Sequence, residues 1–129
     1  MNTADELFDE LLQYHHAQWT PKQRYSRLYN LLDRVCKEFT RDFAAEYTSL
    51  FARLYALCAQ KQYAHRTPIE LFRIHAQRAR KGEFEPDEES YLYDLKALCD
   101  FISFLYQSPQ PAVIRKMLPD GWRGYPKSQ

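Results

Sequence analysis

The side chains of this 129-residue chain that can do covalent, acid–base or metal chemistry are three cysteines, four histidines and a scattered set of carboxylates. Structural zinc needs paired ligands such as Cys-x-x-Cys, and Cys36, Cys58 and Cys99 each stand alone. A di-iron bundle needs Glu-x-x-His, which puts both ligands on one inward helix face; no histidine here follows a glutamate by three residues. An arginine followed four to six residues later by a histidine, a nucleolytic arrangement in some small helical bundles, is also missing. Gly82, Gly121 and Gly124 make no phosphate-cradling loop. Asp94 and Asp100 fall about 120° apart on a helix and form no acid and base pair. His15 and His16 close a helical segment, where a cation meets the negative end of the dipole, and His75 is poorly aligned with Glu70. No catalytic residue, cofactor or metal is therefore assigned, and a non-enzymatic role is expected.

The elements that would carry these side chains are all helical. Thr3 and Glu6 have capping-box spacing and open a first helix expected to reach Gln18. Thr20, Pro21 and Gln23 repeat the signal for a second helix to Phe39, burying Tyr25, Leu28, Leu32, Val35 and Phe39. Thr40-Arg41-Asp42 contains neither Gly nor Pro, so one long helix and two helices both fit; a break is favoured, with a third helix from Asp42 to Gln62 that buries Phe43, Tyr47, Leu50, Phe51, Leu54, Leu57 and Cys58. Thr67-Pro68-Ile69-Glu70 is a further start signal, and Gly82 is the expected C-cap of that fourth helix. The stretch from Pro86 to Tyr106 is apolar on almost every side: Tyr91, Leu95, Leu98, Ile102 and Leu105 share one face, while Tyr93, Ala97 and Phe104 gather opposite. It is expected to be the central helix, contacted on at least two sides. Ala112 to Leu118 can form a short sixth helix. The fold class is all-α, a compact bundle of five to six helices with mostly antiparallel neighbours, as one domain over residues 1–118 and a polar tail or linker over 119–129.

Leu-x-x-Leu/Val-Cys recurs as Leu32 to Cys36, Leu54 to Cys58 and Leu95 to Cys99, but with unequal separations, so a shared core-facing register accounts for it better than a repeat array. The cysteines read as buried thiols in a reducing compartment. With no secretory signal and no apolar run of membrane-spanning length, a cytoplasmic setting without membrane contact is expected.

Net charge is only +1, so attraction to a polyanion must be local. The charge comes in blocks: −4 over residues 1–19, +4 over 20–41, −1 over 42–60, +5 over 61–82, −6 over 83–100 and +3 over 101–129. Opposite blocks can pair across the bundle surface at up to about 1 kcal/mol per pair. Alternatively Lys22, Arg24, Arg27, Arg34, Arg66, Arg73, Arg80, Lys81 and Arg123 can hold phosphates without reading bases. Against this, Leu71 and Ile74 lie opposite Phe72, Ala76 and Ala79, an arrangement that would enclose the fourth helix. Aromatic residues make up 16% of the chain, and Tyr93, Phe104, Trp122 and Tyr125 are the candidate partner contacts. The expected function is a non-enzymatic protein-interaction or accessory domain, binding a protein partner or further domains of its own polypeptide as the N-terminal module of something larger. The alternative is a nucleic-acid-binding accessory domain using the second and fourth helices or the basic aromatic tail.

Overall fold

In the computed structural model, which describes residues 2–121, the chain forms six helices: α1 (Ala4–His16), α2 (Pro21–Phe39), α3 (Leu50–Lys61), α4 (Arg66–Arg80), α5 (Glu88–Tyr106) and α6 (Ala112–Met117). The two capping boxes form in full. Thr3 N–H donates to Glu6 Oε1 at 2.8 Å and Glu6 N–H to Thr3 Oγ1 at 3.2 Å. At α2 the same pair of bonds joins Thr20 and Gln23 at 3.0 and 3.2 Å, with Pro21 in the first turn where its missing N–H costs nothing. Helix α1 stops at His16 rather than Gln18 because Ala17 is already extended.

The chain breaks after α2, but α3 begins eight residues later than the sequence suggests. Thr40 turns its hydroxyl back onto the Cys36 carbonyl at 2.7 Å, which its own N–H also reaches at 3.0 Å. The next cap is Ser49, whose Oγ accepts from Ala52 N–H at 3.1 Å, so Asp42 to Ser49 lie outside helix. Helix α4 starts at Arg66, ahead of Thr67, with His65 in the cap position and no side-chain capping bond. Pro68 then still falls in the first turn, which lets the helix begin earlier than the Thr-Pro signal implies. Helix α5 is capped by Asp87, whose Oδ1 accepts from Ser90 N–H at 2.7 Å; Pro86 precedes the cap instead of opening the helix. Helix α6 ends at Met117, one residue short of Leu118.

Three helices end in the same way. After α4, Glu83 N–H reaches Arg78 O at 2.9 Å and Gly82 N–H reaches Ala79 O at 3.0 Å around a left-handed Gly82 at φ 76°. The ends of α3 and α5 make the equivalent bonds, with Gln62 at φ 55° and Gln107 at φ 53° where glycine stands after α4.

Helix α5 buries nine residues: Tyr91, Asp94, Leu95, Ala97, Leu98, Cys99, Phe101, Ile102 and Leu105. It packs on α1 and α4, and its Asp94 reaches Tyr25 of α2. The direction of packing is fixed by side-chain contacts. His75 in α4 meets Asp94 near the start of α5, whereas Tyr63, just before α4, meets Phe101 and Phe104 near its end, so α4 and α5 are antiparallel. Tyr25 meets Asp94 and Phe39 meets Tyr106, so α2 and α5 run the same way. Each fully buried Leu, Ile or Phe in this core contributes about 1.5–3 kcal/mol relative to exposure. Cys36, Cys58 and Cys99 are free thiols within it, as their shared Leu/Cys register implies.

Candidate functional site

Two groupings of side chains stand apart from the apolar packing. The first is buried and polar. Asp94, 4% exposed, accepts from Tyr25 Oη at 2.6 Å on Oδ2, and His75 Nδ1 lies 2.9 Å from Oδ2 and 3.1 Å from Oδ1. A carboxylate offers only acceptors, which assigns the Nδ1 proton to His75. The His75 ring stacks on Phe84 at 4.6 Å, from the α4–α5 connection, and Arg78 lies over the other partner of that stack at 6.0 Å. Next to this cluster His15 Nδ1 and Tyr91 Oη are 2.8 Å apart with their rings stacked at 5.6 Å, and the Arg24 guanidinium lies 5.0 Å from the Tyr91 centroid while donating to Ala17 O at 3.1 Å. Burial pulls the His15 pKa down, helped by the positive neighbours His16 and Arg24, and burial pushes the Tyr91 phenol up. The cavity bordering Tyr25, Arg24 and Tyr91 has a volume of about 50 Å³, room for a few waters at most. The cluster can therefore tie α2, α4 and α5 together, but this cavity is too small to admit a substrate.

The second grouping is on the surface. Phe51 and Tyr55, one turn apart on α3, are 52% and 53% exposed, with ring centroids 6.4 Å apart and planes tilted by 50°. Two α4 arginines lie over them: Arg73 at 5.1 Å from the Phe51 centroid and Arg66 at 4.6 Å from that of Tyr55. Arg73 is held in place by Glu70, to which Nε and Nη2 donate at 2.9 and 2.5 Å, and by Gln77 at 3.0 Å. Phe51 belongs to the expected core of the third helix, and the structure corrects that assignment. The stripe Leu50, Leu54, Leu57 and Cys58 is the buried face of α3, and Phe51 and Tyr55 fall about 100° and 140° round the helix from Leu50 and project from the flank. The expectation that the fourth helix is enclosed is also overturned: Leu71 and Ile74 are each 36% exposed while Phe72, Ala76 and Ala79 are buried.

Several of the cationic residues singled out from the sequence are engaged within the bundle. Arg34 pairs with Glu10 of α1 at 2.6 Å, joining a basic block to an acidic one. Arg27 lies 5.5 Å from Trp19 and Arg80 4.3 Å from Tyr29, ring contacts each contributing about 0.5–1 kcal/mol at exposed sites. Lys22 and Lys81 are exposed at the start of α2 and the end of α4. Tyr93 and Phe104 are both half-buried, Ala97 between them is 2% exposed, and Phe104 packs on Tyr63 at 4.6 Å, so the far face of α5 is covered in part. Arg123, Trp122 and Tyr125 lie outside the described residues.

The Phe51–Tyr55 pair had a signal in the sequence, an i, i+4 aromatic pair beside an already complete apolar stripe. The Asp94 cluster had none, because its members come from three helices. Among the described residues, no three His, Cys, Asp or Glu side chains gather as a metal set, and no helix is long and apolar enough to cross a membrane. No protein-family model matches the chain, and no curated protein or solved structure matches it.

Proposed function

We propose that this chain is a helical protein-interaction domain and that its contact surface is the α3–α4 face around Phe51 and Tyr55. The observation that carries the reading is the exposure of these two rings, each more than half accessible in a chain whose other large aromatics are mostly packed. Exposed aromatics framed by arginine are the composition of binding hot spots, and the Arg73 guanidinium is already immobilised by Glu70 and Gln77, so little side-chain entropy is lost there on binding. Phosphate binding is the weaker reading, because Arg34 and Arg73 spend their donors on internal carboxylates and amides.

Site-specific photo-crosslinking in the native host tests this. With p-benzoylphenylalanine in place of Phe51, a discrete cross-linked protein band is expected that is absent when the same group replaces Lys37, an exposed residue on α2. Equal labelling from both positions would overturn the assignment.

A further inference from the structure

Resting on that reading, we propose that the occupant of the Phe51–Tyr55 surface is an acidic amphipathic helix, with apolar side chains at i, i+4 spacing against the two rings and carboxylates toward Arg66. Three observations carry it.

The first is charge. Helix α3 contains no carboxylate along its length, and α4 contains one, Glu70, which is spent on Arg73. The exposed cation at Tyr55 is Arg66, over its ring. Electrostatic complementarity therefore asks for a partner segment that is negative at the Tyr55 end.

The second is spacing. The two rings stand 6.4 Å apart along one helix, close to the roughly 5–6 Å between side chains one turn apart on a partner helix lying alongside.

The third separates a peptide from a nucleic acid. A single strand needs aromatic faces on which successive bases stack. Here each ring has one face under a guanidinium, and the two planes are tilted by 50°, so the pair offers no continuous stacking platform. An aromatic edge is the positive part of the ring and suits aliphatic and carboxylate neighbours.

The experiment uses the full 129-residue chain and four fluorescein-labelled probes of comparable length. These are a helical peptide of about 16 residues with Leu at i, i+4 and Glu elsewhere, the same peptide with Lys for Glu, a scrambled acidic control, and an oligo(dT) strand. Fluorescence anisotropy is expected to show the acidic helix bound, with Kd rising with salt, the Lys version and the scramble at least ~10-fold weaker, and oligo(dT) unbound. Phe51→Ala with Tyr55→Ala, and separately Arg66→Glu, should each weaken the acidic helix about tenfold or more. The first pair truncates exposed rings and the second places an acid in the first turn of α4, so both variants should keep the helical circular dichroism of the parent. Failure of the acidic helix to bind below about 1 mM, or equal binding of the Lys version or the scramble, would overturn the proposal. So would binding insensitive to these substitutions. Tight oligo(dT) binding lost in the Phe51 and Tyr55 variant would reassign the surface to nucleic acid. An elution mass of the chain that rises with its concentration, and stays monomeric in the Phe51 and Tyr55 variant, would reassign it to a second copy. A cross-linked partner at position 51 together with no acidic-helix binding would leave the interaction surface standing and remove only the stated partner chemistry.

Discussion

His75 Nδ1 and Asp94 Oδ2 meet at 2.9 Å inside the bundle, and Tyr25 Oη closes on the same oxygen at 2.6 Å. One carboxylate thereby fastens three helices, and its removal takes an acceptor from both Tyr25 and His75. Asp94→Ala is expected to destabilise the chain by about 3–5 kcal/mol, and Tyr25→Phe by about 1–2 kcal/mol, since it leaves Asp94 its His75 contact. Urea denaturation would measure both; an unchanged midpoint for Asp94→Ala would show that the cluster contributes nothing to stability.

The shared helix ending predicts opposite signs for removing and for adding a Cβ at the left-handed position. Gln62 and Gln107 hold the left-handed position at φ 55° and 53°, where a Cβ is strained. Gln62→Gly and Gln107→Gly should each raise stability by roughly 0.5–1 kcal/mol after the added unfolded-chain entropy is subtracted. Gly82→Ala, at φ 76° with open space around the new Cβ, should lower it by about 1 kcal/mol through backbone strain alone. Thermal melts of the three variants check the pattern, and a loss of stability in both glutamine variants would contradict it.

Burial holds the His15 pKa below its ordinary 6.5, with His16 and Arg24 adding to the effect. A depressed folded pKa means the unfolded chain binds the proton more tightly. The associated stability is therefore present above pH 6.5 and is lost as pH falls through the lower folded value. For Glu10, burial raises the pKa, but the hydrogen bonds from Arg34 and Tyr14 outweigh it and leave the group below 4.5, so its share is lost only at more acidic pH. Stability should thus fall in two stages on acidification. The first stage should be shallower in His15→Gln, and identical slopes between pH 7 and 5 would refute the assignment.

Burial pushes all three thiols up: Cys58 to about 11, and Cys36 and Cys99 beyond it. The thiolate is the reactive form, so little of it exists near neutrality. Labelling with a chromogenic disulfide at pH 8 should be slow in the native chain, with Cys58 leading, and fast at all three positions in denaturant. Rapid native labelling at Cys99 would mean that α5 opens on the labelling timescale.

Local chemistry determined much of the helical plan. The pairs Thr3 with Glu6 and Thr20 with Gln23 act across three residues, so their capping bonds follow from the residue types. The all-round apolar character of α5 likewise required neighbours on several sides, and its nine buried residues follow. Tertiary structure decided what these local rules leave open. Whether the flank of α3 was covered depended on which elements lay beside it: Leu50, Leu54, Leu57 and Cys58 are buried, whereas Phe51 and Tyr55 are left more than half exposed. Whether an arginine faces solvent, a ring or a carboxylate depended on which helix lay beside it, as for Arg34 with Glu10 and Arg66 with Tyr55. Asp94 meets partners 19 and 69 residues away, and no periodicity along the chain encodes the meeting of three helices at one carboxylate. Capping and amphipathic pattern act over a few residues and are legible in sequence; exposure and long-range pairing exist only once the helices have packed.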